Sequence, residues 1–156
     1  MKNGIVLSAL VLTLGLAQAG AADNGNYRDS NAKAVFVMTN AAHKNEILSY
    51  RRQKDGTLKF YGAVETGGRG SGGTTDPLGS QGSLTLSQDH SVLLAVNAGS
   101  GDISSFLVTG PNLRLADVRP SGGSAPVAVA QWGDLVYVLN FAAIVMWSVF
   151  ILTTVI

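Results

Sequence analysis

The chain has two histidines, His43 and His90, and no cysteine, so disulfides, thiolate nucleophiles and thiolate metal sites are excluded. Each histidine sits in a polar turn setting with no carboxylate or second histidine at ligand spacing, which reads as exposed imidazole and gives no metal ligand set. No Gly-x-Ser-x-Gly elbow presents a serine nucleophile. The richest polar cluster is the glycine-rich stretch 67–82. In it Arg69 offers a guanidinium to an anion, and Asp76, Ser80 and Gln81 offer hydrogen bonds to a small ligand. Residues 68–73 spell Gly-x-Gly-x-x-Gly, but no helical pattern opens there, and a dinucleotide fingerprint needs a helix N-terminus for the pyrophosphate. A ligand-binding loop and a plain connector both remain open for this stretch. With Asn97, which ends an apolar strand, Arg69, Asp76, Ser80 and Gln81 form the candidate ligand-binding set; no catalytic residue, metal or cofactor is assigned.

The elements that must position these residues are strands. The chain is 156 residues long with 13% charged residues and 19 glycines, a balance that suits short strands and tight turns better than long solvated helices. Its net charge of +1 leaves no basic surplus to neutralise a run of phosphates, which argues against nucleic acid as a partner. From residue 34 onward, apolar runs of Val, Leu, Ile, Phe and Tyr are bounded by Gly, Asn, Asp or Pro, and no stretch before residue 135 holds a helical period.

An internal repeat organises these runs. Val37-Met38-Thr39-Asn40, Leu94-Ala95-Val96-Asn97 and Tyr137-Val138-Leu139-Asn140 are three versions of an apolar strand ending in asparagine. After Asn40 come Ile47-Leu48-Ser49-Tyr50 and Thr66-Gly67-Gly68; after Asn97 come Ile103-Ser104-Ser105-Phe106 and Ser121-Gly122-Gly123. Leu84-Thr85-Leu86 and Val127-Ala128-Val129 each precede the next asparagine strand by the same distance, and a glycine-rich insertion after Gly68 accounts for most of the length difference. Four short strands in about 43 residues is the length of one blade of a β-propeller. Each such sheet has both faces covered by neighbours, so its strands need no strict alternation. The asparagines read as caps of turn backbone or as residues lining a central channel.

Residues 83–97, with Leu84-Thr85-Leu86-Ser87-Gln88-Asp89 ahead of the strand that ends at Asn97, resemble the lactonase-like seven-bladed β-propellers. That family includes propeller-type 6-phosphogluconolactonase and the carboxymuconate cyclases. Its pattern runs Pro-x-His, apolar-x-apolar, Ser-Pro-Asp-Gly, a basic residue and an apolar strand closed by Asn. Here Ser87-Gln88-Asp89-His90 fills the turn, and in the next unit Trp132-Gly133 stands for Asp-Gly with Asn140 closing the strand. The resemblance covers residues 34–140 and implies an all-β fold of about two four-stranded propeller blades, truncated from a larger ring. It further implies that full-length relatives bind or hydrolyse a small lactone or sugar acid. Gln81-Gly82-Ser83 stands where the family has Pro-x-His, so the acid–base histidine is missing and this chain is expected to be inactive as a lactone hydrolase. The rival reading is a non-catalytic binding or scaffold propeller of the cell envelope, its glycine-rich loop facing a protein partner.

The ends carry separate expectations. Met1-Lys2-Asn3 and the apolar run 4–16 read as a secretory signal, with small-x-small cleavage sites at Ala17-Gln18-Ala19 and Ala19-Gly20-Ala21, so residues 1–21 are expected to be removed on export to the periplasm or medium. Residues 22–33 read as a flexible polar leader. Residues 141–156 form an unbroken apolar tail with three readings. It could be a membrane span reaching back to Leu135, although no Lys or Arg anchors its far end; a frame-shifted segment foreign to the domain; or a further strand rich in Val, Ile, Phe and Thr.

Overall fold

The computed structural model describes residues 33–73, 82–141 and 145–151. The signal and leader expectations on residues 1–32, and the loop residues 74–81, lie outside the described residues. The described residues form ten β-strands and no helix: β1 (Ala34–Met38), β2 (Glu46–Arg52), β3 (Leu58–Glu65), β4 (Leu84–Leu86), β5 (Val92–Asn97), β6 (Asp102–Thr109), β7 (Asn112–Pro120), β8 (Pro126–Trp132), β9 (Leu135–Phe141) and β10 (Val145–Ile151). They make three antiparallel sheets, ordered β1-β2-β3, β4-β5-β6-β7 and β10-β9-β8.

The middle sheet has apolar side chains on both faces. Every residue of β5 is buried, because Leu93 and Ala95 join Ile47 of the first sheet in one core while Val92, Leu94 and Val96 join Val129, Val136 and Val138 of the third sheet in another. Burial on alternating sides explains the continuous apolar run of this strand, since neither face needs to meet water. At about 1.5–3 kcal/mol for each large side chain taken out of water, these two cores supply the main attraction between the sheets. The stack is in step at both edges. Tyr61 on β3 donates its hydroxyl to Asn112 Oδ1 of β7 at 2.9 Å, and Thr85 on β4 donates to the Val129 carbonyl of β8 at 3.0 Å.

The repeat is visible in the backbone. The pairing of β2 with β3 shifts register between Ser49 and Tyr50, and that of β6 with β7 between Ser105 and Phe106, which are matching positions of the two units. The extra residues, Tyr61 and Ala116, sit opposite these points as β-bulges, which sharpen the twist of the sheets at the same place.

Two expectations are corrected. The described strands form sheets of three, four and three strands instead of about two sheets of four. The phase of the unit also differs: β4 pairs with β5, and β8 with β9. Each is joined to the following strand by a short turn, and such turns favour antiparallel pairing, so the unit begins one strand earlier than its asparagine. In the tail, the described residues take the strand reading. Residues 145–151 pair antiparallel with β9, placing Ser148 opposite Val138 as Ser104 lies opposite Ala95. Residues 145–151 of the tail therefore share a sheet with β8 and β9. Among the described residues no helix is long and apolar enough to cross a membrane.

Candidate functional site

The asparagine positions organise one end of the stack. Asn97 ends β5 fully buried; its side-chain oxygen accepts from Thr66 Oγ1 at 2.7 Å and from Asn45 Nδ2 at 3.0 Å, and its amide donates to Ser104 Oγ at 2.7 Å. Ser104 in turn donates to the Thr66 carbonyl at 2.7 Å. Gly68 lies flat on this group, and a Cβ there would fall 2.5 Å from Asn97 Cγ, so only glycine fits. The third sheet repeats the device. Asn140 accepts from Ser121 Oγ at 2.6 Å and donates to Ser148 Oγ at 3.2 Å, and a Cβ on Gly123 would fall 2.6 Å from Asn140 Cγ. Thus Thr66-Gly67-Gly68 and Ser121-Gly122-Gly123, at the ends of two sheets, each grip the asparagine of the next sheet. Among the described residues every buried side-chain nitrogen and oxygen has a hydrogen-bond partner, so the grip leaves no stranded polar group.

The asparagines therefore pin sheet to sheet, which neither the turn-capping nor the channel-lining reading anticipates. Asn40 differs from the other two. It lies beyond the end of β1 with φ 54°, and its side chain accepts from the Ser71 backbone at 2.8 Å and donates to Ser71 Oγ at 2.9 Å. It holds the start of the glycine-rich insertion against the first sheet.

The insertion turns this pin into a surface feature. Arg69 follows Gly68 directly; its backbone N–H donates to Ser100 Oγ at 2.9 Å, and its carbonyl accepts from Gly99 N–H at 2.9 Å. The glycine at 99 is required, because a Cβ there would fall 2.1 Å from the Gly70 oxygen. A groove of about 400 Å³ opens here, lined by His43, Lys44, Glu65, Gly67, Gly68, Arg69 and Ser100. Lys44 bridges Glu46 at 3.0 Å and Glu65 at 3.2 Å, and hydrogen bonds to these two carboxylates raise its pKa above the usual lysine value. It stays protonated at neutral pH and is no general base. A second cleft of about 430 Å³ beside the edge strand β1 is lined by Phe36, Met38, Leu84, Val96, Val127 and others, with no ionisable side chain.

Of the residues marked from the sequence, Arg69 is exposed on the groove, while Asn97 lies beneath it, separated from solvent by Gly68. Asp76, Ser80 and Gln81 lie outside the described residues. No local signal in the sequence marks Asn45, which is fully buried and bridges Asn40 N–H to Asn97, or Lys44 and Glu65, which line the groove beside His43, the residue read as an exposed imidazole. Thr66 and Ser121 carried a readable signal, because hydroxyl residues occupy the same step of the repeat.

No family model, curated protein or solved structure matches the chain. Away from the groove, Asp89 organises the Ser87-Gln88-Asp89-His90 turn, and the Gln88 N–H donates to Gln131 Oε1 of β8 at 3.2 Å. Asp89 accepts from Ser87 Oγ at 2.6 Å, from Ser91 N–H at 3.1 Å and from Ser91 Oγ at 2.8 Å, and these bonds, that from Ser87 first, hold its pKa at about 2. His90 takes φ 59°, the left-handed conformation that glycine would adopt most easily.

Proposed function

We propose that the chain is an exported binding protein built from lactonase-like propeller blades, and that the groove beside Arg69 takes a small anionic ligand of the lactone or sugar-acid class. The observation that carries this reading is the seating of Arg69. The pin at Asn97 and the contacts to Gly99 and Ser100 fix the backbone on both sides of an exposed guanidinium. A fixed backbone lowers the cost of ordering the site, and a guanidinium can grip a carboxylate through two parallel hydrogen bonds. The blade assignment is supported by three stacked antiparallel sheets with a repeated bulge and a repeated pin. Binding is favoured over hydrolysis because Lys44 is held protonated and the turn ahead of β4 has no histidine. Export rests on residues 1–21 and predicts a mature chain starting at Gly20 or Ala22 by mass spectrometry.

Titration calorimetry with gluconate and 6-phosphogluconolactone, both anionic, tests the reading. Saturable binding that weakens about tenfold or more in Arg69→Ala, ~1.4 kcal/mol, is the expected result. No binding, or equal binding by the variant, overturns it. The non-catalytic scaffold remains the second reading, favoured by the exposed apolar side chains of the third sheet.

A further inference from the structure

The outer face of the third sheet is an apolar ladder. Leu139 pairs with Trp147, Tyr137 with Val149 and Leu135 with Ile151, and Trp147, Val149 and Ile151 are 62%, 56% and 75% exposed. Counted back from the pinned asparagines, Leu135, Tyr137 and Leu139 occupy the places of Val92, Leu94 and Val96 on the middle sheet, and Trp147 that of Ile103. On the middle sheet these four residues are buried in the core shared with the third sheet. The ladder is thus the surface that, one repeat earlier, receives the next sheet.

The first sheet presents the opposite partner. Ile47 and Ser49 of β2 are buried toward the middle sheet, which leaves Leu48 and Tyr50 on the other side, with Val37 and Phe60 paired beside them and 46% and 56% exposed. Measured from the shared bulge, Tyr50 corresponds to Phe106, which is fully buried in the core shared with the first sheet. The two ends of the stack are therefore different faces that already meet each other twice inside the chain.

We propose that two copies of this chain associate head to tail, the third-sheet face of each packing on the first-sheet face of the other to close a ring of six sheets. A second copy is the occupant that supplies both faces at once, and six sheets fall within the ~4–8 that close a propeller ring. Such a contact is heterologous, joining unlike faces, and a closed pair leaves neither apolar end in water. The proposal rests on the repeat and is independent of the ligand reading.

Sedimentation equilibrium of the exported, processed chain is expected to give twice the chain mass. A monomer at the highest attainable concentration, or an open-ended series of polymers, overturns the proposal. Trp147→Glu and Phe60→Glu should each be monomeric alone and should form a mixed pair when combined, because each retains one intact face. A Phe60→Glu chain that still pairs with itself signifies contact between like faces and also overturns it. Because the chain has no cysteine, Val37→Cys and Val149→Cys provide a milder check that does not depend on the charged variants folding. Mixed oxidation should yield the Val37→Cys/Val149→Cys heterodimer in excess over either homodimer, and an excess of homodimers contradicts the head-to-tail contact.

Discussion

The two pins hold sheets together by the same means but differ in what surrounds them. At the first, Asn97 binds Thr66, Ser104 and also Asn45, and the chain continues through Gly68 into Arg69 and the glycine-rich insertion. At the second, Asn140 binds Ser121 and Ser148, and the chain passes from Gly123 into β8 within a few residues. What the two share is the architecture of the stack; what only the first has, an extra asparagine, a guanidinium and a groove, is the place of the proposed ligand site. A recurring element can be attributed to folding, and a departure from the recurrence is the place to look for function.

Removing each pin gives the largest contrast. Asn97→Ala removes the bonds to Thr66 and Ser104, which keep other partners, and leaves the buried Asn45 amide nitrogen without its acceptor; it should destabilise the chain by ~3 kcal/mol, at ~0.5–1.5 kcal/mol for each bond lost and ~1–3 kcal/mol for the group left unpaired. Asn140→Ala, with fewer partners, should cost ~2 kcal/mol; urea unfolding measures both, and equal losses would deny the first pin its extra partner. Filling the close approaches comes next. Gly68→Ala and Gly123→Ala should each cost ~1–3 kcal/mol through overpacking, and only Gly68→Ala should also weaken binding of gluconate, since it displaces Arg69.

The turns leading into the two pinned strands differ as well, and they give the smaller effects. Ser87-Gln88-Asp89-His90 relies on a carboxylate, whereas the β8–β9 turn relies on Gly133 at φ 55°. The folded-state pKa of Asp89, about 2, lies below the ordinary carboxylate value, so its contribution is fully present above about pH 4 and is lost as pH falls toward about pH 2. The carboxylate is exposed, so after allowance for solvent screening the loss should be ~1 kcal/mol or less. It should vanish in Asp89→Asn when unfolding is followed across that range. His90→Gly should be smaller still and of opposite sign, a gain of up to ~1 kcal/mol from relief of the left-handed conformation, partly offset by glycine's greater freedom in the unfolded chain.

Much of this architecture was legible in the sequence, and particular residues show why the rest was not. The repeat of asparagine, Thr/Ser-Gly-Gly and apolar runs predicted the strands and their equivalence, because a strand buried on both faces leaves an unmistakable apolar run such as 92–96. The phase of the sheet was harder to read. Leu84-Thr85-Leu86 is equally apolar whichever sheet it joins, and only the geometry of the Ser87–His90 turn directs it to β5. The tail 141–156 is too uniformly apolar for periodicity to separate helix from strand; the recurrence of serine beneath asparagine, Ser148 for Ser104, is the signal that identifies β10. Arg69 was marked from its glycine-rich setting, and the structure places it, exposed, on the groove. The groove's other residues come from the turn after β1 and the end of β3, brought together by pairing across the sheet, and no local spacing announces them.

The central claim is that Thr66 of one sheet and Asn97 of the next act as a single bonded unit. A double-mutant cycle of Thr66→Ala and Asn97→Ala measured by equilibrium urea unfolding tests it directly. A coupling energy of ~1–2 kcal/mol is predicted, and losses that add within ~0.3–0.5 kcal/mol would contradict it.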